Sequence, residues 1–70
     1  MTTEEMLLSK YGATLDTRNL AEVLHMSLKG VQNAIAMETF DIPTFKLRKK
    51  RLAHVRDVAG YIDDGRKSAA

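Results

Sequence analysis

Residues 16–36 constrain the fold most, because two short helical patterns abut there with almost no chain between them. Asp16 stands where an N-cap would stand, and Leu20, Ala21, Val23 and Leu24 fall on one side of the helix it would open. His25-Met26-Ser27 follows, and a second pattern begins at once with Leu28, Val31, Ala34 and Ile35 at i, i+3, i+6 and i+7. Ser27 is the natural cap of this second helix. Two amphipathic helices joined by about three residues have the spacing of a helix-turn-helix, in which the second helix is held across the first by a buried aliphatic contact. His25 sits in the connection, where the chain often needs a positive φ that histidine adopts more readily than most residues.

The flanks complete the picture. Thr3 is the expected cap of a short N-terminal helix through Met6, Leu7 and Leu8, with Glu4 and Glu5 in its first turn and Gly12 ending it. A frayed arm is the alternative for this stretch. After Met37 the helical period fails, and Asp41-Ile42-Pro43 forces extended backbone. Thr44-Phe45-Lys46-Leu47 alternates, Arg51-Leu52-Ala53-His54-Val55 alternates less cleanly, and Arg48-Lys49-Lys50 lies between them. This predicts a β-hairpin with a basic tip, although the tip lacks an Asn-Gly or Asp-Gly turn signal. Phe40 and Phe45 are expected to pack beneath it. A last helix has Val55, Val58, Ala59 and Ile62 on one face with Tyr61 flanking. It is expected to begin at His54 or Arg56-Asp57 and to stop at Gly65. The expected fold class is mainly α with a small β-hairpin, a winged helix-turn-helix. Residues 1–14 form an arm or short helix, 15–64 the domain, and 65–70 a mobile tail.

Charge is distributed unevenly. Residues 1–43 carry a net −3, residues 44–56 a net +6 with no acid, and residues 57–70 a net −1. A block of this kind is either a solvated basic loop or a polyanion contact. With no cysteine there is no disulfide, and His25 and His54 lie far apart without a carboxylate cluster, so neither metal nor other cofactor is expected. At 70 residues the core is thin, which makes self-association or docking on a large ligand the expected supplement. No apolar run spans a membrane and no basic n-region precedes an apolar stretch, so a cytoplasmic location is expected.

Ser27, Leu28, Lys29, Gln32 and Asn33 are the candidate contact residues of the second short helix. Gln and Asn can pair bidentately with adenine, Lys can reach guanine or phosphate, and Ser27 with the first backbone N–H groups suits a phosphate. Gln32 and Asn33 could equally be plain solvent-facing residues; the basic hairpin nearby favours readout. Lys46, Arg48, Lys49, Lys50 and Arg51 are the candidate phosphate or minor-groove contacts of the hairpin. Thr17, Arg18 and Arg56 are candidate backbone contacts. Gly30 costs about 1 kcal/mol relative to alanine inside a helix, which reads either as close backbone approach or as tolerated weakening. His54 reads as a cap or strand-edge residue. The few aromatics do not make the stacking platform of a single-strand binder. No nucleophile–base pair, paired carboxylates or phosphate loop has a credible context, so no enzymatic activity is expected.

The stretch Leu15-Asp16-Thr17-Arg18-Asn19-Leu20-Ala21-Glu22-Val23-Leu24-His25-Met26-Ser27-Leu28-Lys29-Gly30-Val31 resembles the MerR-like, excisionase-type winged helix-turn-helix family. Its members commonly read L-T/S-x-x-x-L-A-E-L-L-G-V-S-x-x-T-V. Ile42 to Leu47 looks like that family's entry into the wing, and His54 to Asp63 is similar to the closing helix of small phage regulators, including pyocin-activator-like proteins. The resemblance implies a recognition helix at 27–36 and a wing at 44–54. His25 stands where the family has a turn glycine, and Gly30 where it has a threonine. The coiled coil and effector domain of full MerR regulators are not in this sequence, so the resemblance is to the stand-alone branch. It implies a double-stranded DNA partner, an excisionase or transcription-regulator role in a prophage or mobile element, a site-specific recombinase as further partner, and no small-molecule ligand. Self-association, or cooperative binding of several copies on adjacent sites, is expected from the small contact area of one domain. The alternative is a protein-interaction module that binds a phage repressor or recombinase through the acidic 1–43 segment and Met6-Leu7-Leu8.

Overall fold

The computed structural model describes residues 1–69. Its elements are α1 (Thr3–Tyr11), β1 (Thr14–Asp16), α2 (Thr17–Leu24), α3 (Leu28–Ala36), β2 (Phe45–Leu47), β3 (Lys50–His54) and α4 (Val55–Ala69). The molecule is mainly helical with a small antiparallel sheet of three strands in the order β1-β3-β2.

The central helices form as their caps dictate. Asp16 accepts the Asn19 N–H at 2.8 Å, and the Asn19 side chain accepts the Asp16 N–H at 3.1 Å, a reciprocal box that opens α2. His25 has φ 57°, as expected of the connection. The Met26 N–H reaches the Ala21 carbonyl at 2.9 Å and the His25 N–H the Glu22 carbonyl, so α2 closes in a Schellman turn. Ser27 Oγ accepts the Gly30 N–H at 2.9 Å and opens α3. That helix closes in the same way around Glu38, at φ 58°, with the Thr39 N–H on the Ala34 carbonyl. Leu20 and Val31 are fully buried between these helices, and Leu15 and Val58 complete the innermost layer. Ile42, Ala53, Val55 and Ala59 extend it, with Val23, Leu24, Ile35, Phe40 and Ile62 packed around the edge.

Four expectations need correction. The α1 cap is Thr2, not Thr3: Thr2 Oγ1 accepts the Glu5 N–H and Glu5 answers, while the Thr3 hydroxyl donates to Asp63 at 2.8 Å and ties α1 to α4. The segment is therefore not a frayed arm, and Leu7 enters the core. The sheet has a third strand, β1, which pairs Leu15 with Ala53 where both are fully buried. Phe45 lies opposite Leu52, on the face that turns away from Ala53, so it is exposed instead of packing beneath the hairpin, whereas Phe40 packs against the core. The last helix does not stop at Gly65 but runs on to Ala69, because glycine weakens a helix without breaking its hydrogen bonds. Ala70, the end of the expected tail, lies outside the described residues.

Candidate nucleic-acid interface

The hairpin turn is the least ordinary piece of backbone in the molecule. Arg48 and Lys49, the two residues between β2 and β3, both have positive φ, at 49° and 70°. That is the sign pattern of a type I′ turn, which matches strand twist and normally carries Asn-Gly. Here two cations occupy it. Lys50, expected in the tip, is the first residue of β3, opposite Leu47.

Alternation along β2 and β3 then sorts the side chains into two faces. Lys46 lies directly opposite Arg51, on the same face as buried Ala53, and Phe45, Leu47 and Leu52 share the other. The Lys46/Arg51 face continues past the core towards α3. An open groove of about 520 Å³ results, with Thr17 and Arg18 on one side, Gln32 above Ile35 and Ala36, and Lys49, Lys50 and Arg51 opposite. Six candidate residues from three separate segments thus line one concavity.

The others distribute around it. Lys29, Gln32 and Asn33 are all exposed, and their i, i+3, i+4 spacing sets them on one face of α3. Leu28 is half-buried and belongs as much to the packing as to the surface, which corrects its reading as an exposed contact position. Ser27 is exposed, with its oxygen spent on capping and its hydroxyl proton free to donate. Arg56 is exposed in the first turn of α4, where its N–H donates to His54 Nδ1 at 3.1 Å, and it does not line the groove. This bond makes His54 the cap of α4. A Cβ at Gly30 would come within 3.0 Å of Ser27 Oγ and would otherwise meet only the Met26 methyl. The glycine makes room for the cap, not for close approach of α2.

Electrostatics separates the hairpin from its surroundings. Among the described residues the only ion pair is Lys10–Glu22 at 3.0 Å, so all six cations of residues 44–56 lack a carboxylate partner. The N-termini of α2 and α3 also differ: Asp16 neutralises the start of α2 with a carboxylate and stands in the groove wall, whereas α3 opens on the uncharged Ser27. The Asp16 carboxylate and the Ile35-Ala36 floor were not read as site residues in the sequence, because only the fold brings them beside the hairpin. No family model, curated protein or solved structure matches this chain.

Proposed function

We propose that the chain is a winged helix-turn-helix protein that binds double-stranded DNA in a sequence-specific manner. The observation that carries this reading is the convergence of Arg18, Gln32, Lys49, Lys50 and Arg51 on one open groove, flanked by cations without carboxylate partners among the described residues. In this reading α3 is the recognition helix: Gln32 and Asn33 offer paired donor and acceptor atoms to adenine, and Lys29 reaches guanine or phosphate. Lys46, Arg48, Lys49, Lys50 and Arg51 form the wing and neutralise phosphates, while Thr17, Arg18 and Ser27 add backbone contacts. The chain uses no cofactor and performs no catalysis.

The resemblance of residues 15–31 to excisionase-type regulators supports a cytoplasmic role in a prophage or mobile element, as an excisionase, a transcription regulator, or both. Because one domain offers little contact area, several copies bind cooperatively on adjacent half-sites. A protein-interaction role is the second reading, favoured by the exposure of Met6 and Leu8 on α1.

Fluorescence anisotropy with labelled duplex DNA over a range of salt concentrations tests the main reading. Neutralising about four phosphates per chain gives a log–log slope near −4. A slope near zero overturns electrostatic DNA binding and leaves the interaction-module reading in place.

A further inference from the structure

The outward face of the hairpin is unexplained by phosphate binding. Phe45 is 41% exposed and Leu47 56% exposed, and with half-buried Leu52 they form an apolar strip on the side away from Lys46 and Arg51. Leu47 is the last residue before the turn, flanked in sequence by Lys46 and Arg48 and across the strand by Lys50.

We propose that Leu47, backed by Phe45, is a wedge that inserts between base pairs and kinks the bound duplex. This rests on the DNA-binding reading above and deepens it. The surroundings of Leu47 select the occupant. An apolar protein surface covering it would desolvate neighbouring cations that no carboxylate among the described residues neutralises, and a second copy docking face to face would bring two such tips together. A duplex supplies what the tip needs: phosphates at the rim for Arg48, Lys49 and Lys50, and an apolar interior of stacked bases for Leu47. Leucine and phenylalanine are used in this way by proteins that partly unstack a base step and bend DNA by roughly 20–90°. The I′ turn also suits the task, since a two-residue connection keeps the tip narrow.

The experiment uses the full chain and a duplex of about 30 base pairs, end-labelled for energy transfer and carrying 2-aminopurine at successive positions. Binding is expected to raise 2-aminopurine fluorescence severalfold at one or two steps and to shorten the end-to-end distance. Leu47→Ala and Leu47→Gln are each expected to lose more than half of both signals while keeping the salt slope, and Leu47→Met to retain them. Because Leu47 is exposed, none of these changes leaves a core cavity, and equal thermal midpoints verify that all variants fold. Salt-dependent binding without unstacking, or unstacking that survives Leu47→Gln, overturns the wedge and spares the DNA-binding reading. Absence of binding overturns both. A dimer of the free protein that Leu47→Gln dissolves also overturns the wedge.

Discussion

The side of the molecule built from α1, α2 and α4 and the side built from β2 and β3 treat charge and backbone in opposite ways. On the first, Glu22 accepts from both Lys10 and the Tyr11 hydroxyl at 3.0 Å, Thr3 bonds Asp63, and each of α1 and α2 opens with a reciprocal box. On the second, five cations stand without a carboxylate among the described residues, and two of them hold a left-handed backbone. The one ion pair among the described residues lies on the first side, and the hairpin has none. On the proposed reading, stability and contact belong to different residues, and substitutions should separate them.

The largest effect belongs to the packed side. Leu20→Ala removes a fully buried side chain and should cost about 2–5 kcal/mol, much of what a domain this small possesses. Thermal denaturation reads it, and a midpoint within a few degrees of the parent would break the division. Next, combined Lys49→Ala, Lys50→Ala and Arg51→Ala should leave the midpoint nearly unchanged while flattening the salt slope by roughly 0.9 for each phosphate that is no longer neutralised. Equal salt slopes for parent and triple variant would remove the hairpin from the interface.

Replacing Arg48 and Lys49 by Asn and Gly brings the two sides into direct opposition. The turn would gain its preferred residues, worth about 1–2 kcal/mol, and give up two charges. The melting point should rise, by roughly 4–8 °C per kcal/mol for a domain of this size, as DNA affinity falls. A variant that melted higher and bound equally well would show that the strained turn serves no contact. Gly60→Ala and Gly65→Ala should each add up to about 1 kcal/mol, because a Cβ at either site meets nothing within 4 Å.

The smallest effect concerns Glu22. Hydrogen bonds from Lys10 and Tyr11 hold its carboxyl below the ordinary range, and the bond with Thr2 does the same for Glu5. A depressed carboxylate contributes stability above its unfolded pKa, which fades as pH falls through the folded value. Both groups are exposed, so the slope of stability against pH below about 4 should be shallow, and Glu22→Gln should make it shallower still. A steeper acid transition in that variant would contradict the pairing.

Much of this arrangement was legible in the residues. The α2–α3 pair announced itself through Asp16, Ser27 and the spacing of Leu20, Ala21, Val31 and Ile35, because local capping and helical period coincide there. Positive φ at His25 followed from the shortness of the connection. β1 was not legible: Thr14-Leu15-Asp16 is too short to show a period, and its partner Leu52–His54 lies far along the chain. The turn was hidden because Arg48 and Lys49 are poor I′ residues, so only tertiary pairing reveals them. The candidate contact positions were read from residue type, but their convergence required the sheet that sets Arg51 and Lys49 facing Gln32 and Arg18.

That sheet has a further consequence. β3 pairs with β1 on one side and β2 on the other, and β1 leads directly into the cap of α2. The sheet therefore works as a gauge block, fixing how far the hairpin tip stands from the α2–α3 pair. A slip of β2 against β3 by one residue would move its side chains by about 3.3 Å and reverse them, sending Lys46 outward and Phe45 and Leu47 into the groove. Leu15 against Ala53 holds β3 itself in place, since neither can turn towards water without opening the core. The spacing between two patches of surface is thus set by one pair buried beneath them.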